Sequence, residues 1–231
     1  MRRLGSVPWK TLNEPARTGH LPFPKMTSYL IGADEVGRGA LAGPVAVGAV
    51  RVPVDLDPVD GAGDSKSLTA RTRQKVASTL RAHPKVEVEV MFLPASEVDD
   101  RGIAGCLRLC FKSAVEKLGQ GVRVEEVRVD GEPLVLGSIY DDITRFIIRG
   151  DATDWVIGAA SVAAKVSRDA FMVELAQEFP QYGWGKNMGY GTAAHEAAIK
   201  EHGFTPHHRR SFCRRIQQEM EMQNVLDLLR S

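Results

Sequence analysis

Four acidic residues stand where this chain could assemble a chemical site. Asp34 and Glu35 lie where the apolar run Tyr-Leu-Ile-Gly-Ala meets a glycine-dense turn that ends at Gly43. Adjacent side chains of a regular strand point to opposite faces, so both serve one site only if the strand ends or bulges there. A solvated turn accounts for the pair equally simply. Asp130 repeats the arrangement, because Val-Arg-Val-Asp-Gly puts a carboxylate at a strand's end. In open α/β sheets the crevice beyond the strand ends is where ligands bind. Asp151, in Arg-Gly-Asp-Ala-Thr-Asp, precedes a helix and also reads as an N-cap. Four carboxylates brought together repel one another unless a cation neutralises them, and oxygen ligands favour the hard ions Mg²⁺ or Mn²⁺. Two such ions about 4 Å apart activate a water and stabilise the leaving oxygen of a phosphodiester. Spacing alone does not say that the four meet.

The elements that must position them follow from periodicity. Two strands joined by the glycine turn span Tyr29 to Val52, and Val86 to Leu93 alternates as a half-exposed strand. Glu126 to Val129 is a short strand leading into Asp130-Gly131. Helical spacing covers Thr69 to Ala82, with Thr69 as N-cap, and Gly102 to Leu118. An Ala-rich helix covers Ile157 to Leu175, another covers His195 to His202, and helix is expected from Phe212 to Leu229. Strands first, then strands alternating with helices, predict an α/β domain with a mixed β-sheet flanked by helices and a helical C-terminal portion.

Composition narrows the function classes. The chain has 231 residues, 43% hydrophobic, enough for one sizeable core. A net charge of +1 excludes binding nucleic acid by bulk attraction, so any such binding rests on local basic groups. Three cysteines, Cys106, Cys110 and Cys213, argue against a disulfide framework and for a reducing, cytoplasmic setting. The spacing of Cys106 and Cys110 reads as core packing. No apolar run reaches the roughly 18 residues of a membrane span. Residues 1–28 read as a flexible basic extension, broken by four prolines and lacking a signal-peptide core, with Met26 as an alternative start.

Five blocks, in order, resemble type 2 ribonuclease H, the ribonuclease HII family, from Tyr29 to about Cys213. The first is Gly32-Ala33-Asp34-Glu35-Val36-Gly37-Arg38-Gly39 with Leu41-Ala42-Gly43-Pro44-Val45, followed by Asp64-Ser65-Lys66-Ser67-Leu68 and Val129-Asp130-Gly131. Next is Gly150-Asp151 with the stretch from Ala159 through Lys165 to Asp169. Tyr182-Gly183-Trp184, Gly189-Tyr190-Gly191-Thr192 and His207-His208-Arg209-Arg210-Ser211-Phe212 complete the set. The resemblance implies a ribonuclease H-like catalytic domain over 29–213, with a helical tail over 214–231. It implies an endonuclease that cuts the RNA strand of RNA–DNA hybrids and incises 5′ to ribonucleotides embedded in duplex DNA. The products would carry 5′-phosphate and 3′-hydroxyl ends. Too short for an extra substrate-binding domain, the N-terminal extension favours the HII subtype over HIII.

By the same resemblance Asp34, Glu35, Asp130 and Asp151 are the catalytic and metal-binding set, holding two Mn²⁺ or Mg²⁺ ions with Asp34 between them. Gly37, Arg38 and Gly39 match the reader of the 2′-hydroxyl, the group that separates RNA from DNA. Only glycine lets backbone amides come close to a sugar. Tyr190 matches the ring that packs on the neighbouring sugar, although a lone tyrosine between glycines also reads as a loop aromatic. Lys66, Lys165, Arg168 and Ser161 match positions that hold phosphates, and Ser161, Lys165 and Arg168 share one helical face; a solvated face is the alternative. Met188 stands where the family commonly has lysine, which removes one phosphate contact.

A junction resolvase is the competing nuclease and a non-catalytic hybrid-binding protein the competing binder. The Gly37–Gly39 and Tyr190 motifs speak against the first, the complete acidic quartet against the second. The tail from Gln223 to Leu229 loosely resembles a sliding-clamp peptide, and an amphipathic helix end explains it more simply. The chain is expected to act as a monomer.

Overall fold

β-Branched and small apolar residues build the first two strands, β1 (Ser28–Val36) and β2 (Val45–Pro53). In the computed structural model, which describes residues 27–63 and 68–230, they pair antiparallel without a register shift from Tyr29↔Pro53 to Val36↔Ala46. Most of the N-terminal extension, the expected phosphate contact Lys66 and Ser231 lie outside the described residues. β3 (Glu87–Leu93) pairs antiparallel with β2, while β4 (Arg123–Asp130) and β5 (Thr144–Ile147) add in parallel beyond β1. The order β3-β2-β1-β4-β5 gives the mixed sheet that the sequence predicts. β5 was not anticipated, because four residues are too few to show a period.

One helix packs on one face of the sheet and two pack on the other. α2 (Ala95–Gly119) covers one side through Cys106, Leu107, Cys110, Phe111 and Ala114. It starts before the expected Gly102, where φ 70° and ψ 158° interrupt the helix as a kink. The polar run ahead of Gly102 carries little apolar period, which hid that first segment. α1 (Ala70–Ala82) begins as predicted, with the Thr69 side chain accepting from the Thr72 N–H. Beyond β5 a single helical turn, α3 (Gly150–Thr153), leads into α4 (Trp155–Glu178), which covers the other face beside α1.

The approach of α4 to the sheet is unusually close. A Cβ on Gly48 would sit 2.3 Å from the Ala160 carbonyl oxygen, and one on Gly32 would sit 2.5 Å from the Val156 carbonyl carbon. Ala159, Ala160, Ala163 and Ala164 are buried on the helix, so small residues on both partners set the separation. α5 (Trp184–Asn187), α6 (Ala193–His202) and α7 (Arg214–Arg230) follow. Their anchors, Trp184, Ile199 and Ile216, pack with Cys213, just ahead of α7, and with Met172 and Leu175 of α4 into a separate cluster. α7 is helical as expected, yet only Ile216 of it is buried, and Met222, Val225, Leu226, Leu228 and Leu229 face outward.

Because α4 rests on bare backbone at Gly48, a methyl group there must push the helix off the sheet. Gly48→Ala is expected to cost about 2 kcal/mol or more, as overpacking of a filled interior does. The urea midpoint checks this, and an unchanged midpoint would show that the contact yields freely.

Candidate active site

β1 delivers two carboxylates to one place without bulging. Its register against β2 stays regular through Asp34↔Gly48 and Glu35↔Val47, so the two side chains leave on opposite faces. The parallel ladder to β4, however, stops at Ala33↔Val129. Asp130, the last residue of β4, lies one step past that pair, and its charge acts on both Asp34 and Glu35. Asp34, Glu35 and Asp130 therefore line one cavity of about 320 Å³ together with Val36, Gly37 and Arg38. Gly39, Ser161, Lys165, Tyr190 and Arg73 complete its wall. Of the two expected devices the strand end is the one used: β1 stops at Val36, one residue past Glu35, without a bulge against β2, and its neighbour's ladder stops sooner still.

Burial dominates the electrostatics. Asp34 is buried, and its pKa is pushed from the ordinary 3.8 to about 7, mainly by loss of water. A hydrogen bond with Ser161 works against this, and the charges of Asp130 and Glu35 add to it. Glu35 is also raised by burial, opposed by Arg38 at 3.3 Å. That ion pair is largely exposed and of little energetic weight. Asp130 is held by backbone: its Oδ1 accepts from the N–H of Gly150 at 2.6 Å and of Asp151 at 3.4 Å. Asp151 is thereby placed beside Asp130, inside the first turn of α3, while Asp154 is the residue that caps α4. Asp151 is buried and does not line the cavity.

Among the described residues no three acidic, histidine or cysteine side chains stand close enough to form a ready metal site. The donor chemistry nevertheless fits a hard divalent ion. Every candidate ligand is a carboxylate oxygen, and ionising Asp34 at neutral pH is costly unless a cation offsets the burial.

The remaining expected contacts divide. Lys165 is half-buried, lines the cavity and pairs with Asp169 at 2.7 Å. Tyr190 reaches the cavity with its ring exposed and lies 5.5 Å from the Arg168 guanidinium. Ser161 is buried against Asp34. Arg168 departs from its expected role as a phosphate contact. Its side chain is fully buried, and its three nitrogens donate to the carbonyls of Pro44, Met188 and Ala42 at 2.8, 2.9 and 3.2 Å. It is a strut under the glycine turn. A Cβ on Gly37, where φ is +80°, would fall 2.1 Å from its Nε.

Residue spacing did not single out three further features. Arg73 of α1 lines the cavity and donates to the Leu68 carbonyl. Arg209 is as buried as Arg168 and grips the glycine turn from below, and burial with the neighbouring charge of Arg168 lowers its pKa to about 10. Behind Tyr190, the Trp184 indole donates to His195 Nε2 at 2.9 Å. That assigns the single ring proton of neutral His195 to Nδ1, which donates to the Tyr190 carbonyl at 3.0 Å. His208 abuts the same Nε2 at 3.3 Å, and burial pushes its pKa down to about 3. Arg209 and His208 lie within one of the quoted blocks, but nothing in their spacing told a buried role from a surface one.

The family model described as Ribonuclease HII matches residues 31–215. The chain is 39% identical over 189 residues to a ribonuclease HII of Thermosynechococcus vestitus, covering 82% of this chain and 86% of that one. It is 41% identical over 192 residues to a ribonuclease HII of Burkholderia thailandensis, covering 83% and 86%. In fold it is similar to the ribonuclease H2 of Pyrococcus horikoshii, with a TM-score of 0.67 at 24% identity over 84% of this chain and 99% of that one. A solved structure described as the PCNA:RNase HII complex from Archaeoglobus fulgidus matches with a TM-score of 0.63 at 23% identity, covering 78% and 93%.

The raised pKa of Asp34 has a signed consequence. Its folded value, about 7, lies above the ordinary 3.8. The folded state thus holds this proton more tightly, which contributes stability that is complete below the lower value and is lost as pH rises through the higher one. Asp34→Asn is therefore expected to raise the urea midpoint of protein in EDTA at pH 8 and to leave it unchanged at pH 3.5. Mn²⁺ is expected to raise the midpoint of the unsubstituted protein at pH 8 more than that of the variant. Equal midpoints at pH 8 in EDTA would count against the burial account.

Proposed function

The chain belongs to the ribonuclease HII family of endoribonucleases, and from that premise we propose that it hydrolyses the RNA strand of RNA–DNA hybrids and incises 5′ to single ribonucleotides in duplex DNA. The products carry 5′-phosphate and 3′-hydroxyl ends. The observation that carries this reading is the shared cavity: Asp34, Glu35 and Asp130 line the same space as the turn Gly37-Arg38-Gly39 and Tyr190. Gly39 adds a telling detail. A Cβ there would meet nothing within 4 Å and its φ is not positive, so the fold itself does not require glycine. Close approach of a sugar from outside the chain does.

Asp34, Glu35, Asp130 and Asp151 would hold the divalent ions, Mn²⁺ or Mg²⁺. Once bound, such ions activate water and stabilise the leaving oxygen. The chain's own residues do the rest. Asp130, fixed by the Gly150 and Asp151 amides, and Asp34, fixed by Ser161, present oxygens that need little reorganisation. Lys165 sits at the cavity wall within reach of a phosphate, and Lys66 is assigned the same task on the resemblance alone. The amides of the glycine turn and the Tyr190 ring read the sugar, while phosphate contacts set the duplex in register. Acting on nucleic acid with a net charge of only +1 suits this local arrangement. We place the catalytic domain at 29–213 and read the enzyme as a cytoplasmic monomer, in keeping with three free, buried cysteines.

The test is cleavage of a duplex carrying one ribonucleotide, with Mn²⁺ or Mg²⁺. Incision 5′ to the ribonucleotide is expected, with no cutting of the all-DNA duplex. Asp34→Asn should abolish it, and Gly39→Ala should weaken it without lowering the thermal midpoint. Equal cutting of both duplexes would refute ribonucleotide selection, and binding without cutting would favour the non-catalytic protein.

A second reading concerns α7. Its outward row Met222, Val225, Leu226 and Leu229 lies one helical turn apart and packs against nothing in the core. An amphipathic helix end accounts for the pattern but not for its exposure, which favours a sliding-clamp contact. Purified clamp should be retained by the full chain and not by one truncated after Gln223; equal retention would end this reading.

A further inference from the structure

Two positive charges lie beneath the glycine turn, each held by backbone carbonyls. Arg168 and Arg209 are fully buried, and neither forms an ion pair among the described residues. Such burial is destabilising in itself, and among the described residues the Nη2 of Arg209 also lacks a hydrogen-bond partner. The two guanidinium groups grip different backbone. Arg168 takes the carbonyls of Ala42, Pro44 and Met188, which are the turn's far end and its neighbour. Nη1 of Arg209 takes the carbonyls of Gly37 and Arg38 at 2.7 and 3.1 Å, and its Nε takes that of Gly43 at 3.1 Å.

In a trans peptide the N–H points away from the C=O of the same unit. Drawing the Gly37 and Arg38 carbonyls inward therefore sends the N–H groups of Arg38 and Gly39 outward. Those two N–H groups make no hydrogen bond among the described residues, and both residues are exposed at the cavity wall. We propose that Arg209 is a positioning residue for ribonucleotide selection, holding two peptide units of the turn so that their amides face the sugar. This rests on the reading of Gly37–Gly39 as the sugar reader given above. Arg209 touches no substrate; it acts through backbone that does. A lysine keeps the charge but lacks the planar fork, so it cannot hold three carbonyls in one geometry.

Arg209→Lys separates positioning from mere support. The assay is cleavage of the single-ribonucleotide duplex, with the uncut all-DNA duplex of the same sequence as competitor, on protein shown folded by its thermal transition. The expected result is a KM raised about tenfold for the ribonucleotide duplex, the size of one lost hydrogen bond, with the competitor's Ki unchanged. A supporting role alone would lower the active fraction, which reduces apparent kcat and leaves KM and Ki alone. That pattern, or KM and Ki rising together, would overturn the proposal. Should the unsubstituted enzyme bind both duplexes equally, the reading of the turn itself fails, which is a distinct outcome. Hydrogen exchange on the unsubstituted protein decides the matter even if the variant does not fold. The Arg38 and Gly39 amides should exchange rapidly in free protein and be slowed by the ribonucleotide duplex but not by all-DNA duplex. Protection in the free protein would sink the proposal.

Discussion

Helix α4 lies on β1 and β2 at a distance that side chains on the sheet would forbid, and the site depends on that distance. With Gly32 and Gly48 bare and alanines facing them, the helix backbone rests almost on the strands. Ser161, Lys165 and Arg168 project from this helix, and the close fit fixes how far each one reaches. Ser161 meets Asp34, Lys165 arrives at the cavity wall, and Arg168 passes under the glycine turn. A wider separation would withdraw all three together. Packing here is a positional device as well as a source of stability.

The site trades stability for chemistry in two layers. In the upper layer, carboxylates converge, and burial above all disfavours the charge of Asp34 and Glu35. In the lower layer, two guanidinium groups are buried with carbonyl oxygens as their hydrogen-bond acceptors among the described residues. Both arrangements are costly by themselves, and both surround the same turn. Sites of this kind are where a fold departs from its own best packing.

A third group of residues stands behind Tyr190. The chain of hydrogen bonds from Trp184 through His195 to the Tyr190 carbonyl requires His195 to be neutral, and burial of His208 beside it favours the same state. The C-terminal cluster thus supports one wall of the cavity while α4 supports the other. Arg209, arriving on the segment between α6 and α7, ties this cluster back to the glycine turn.

Periodicity in the sequence was enough to place four of the five strands and the long helices, because alternating and 3.6-residue patterns need no tertiary context. The residues of the glycine turn, the four carboxylates and Tyr190 stand out through the five blocks that resemble one family; on spacing alone they read equally as turns, an N-cap and a loop aromatic. What the sequence could not decide was direction and depth. Ser161, Lys165 and Arg168 share a helical face on paper, yet only the packed structure shows that Arg168 is swallowed while Lys165 is not. Arg209 reads as one more basic residue until the fold carries it beneath residues 172 positions away in sequence. Likewise Asp34 and Glu35 leave opposite faces of a regular strand, and it is the end of β1, with the β4 ladder stopping sooner still, that lets them share a cavity. Local pattern is a property of neighbours along the chain; burial, charge cost and convergence belong to neighbours in space, and those exist only once the chain has folded.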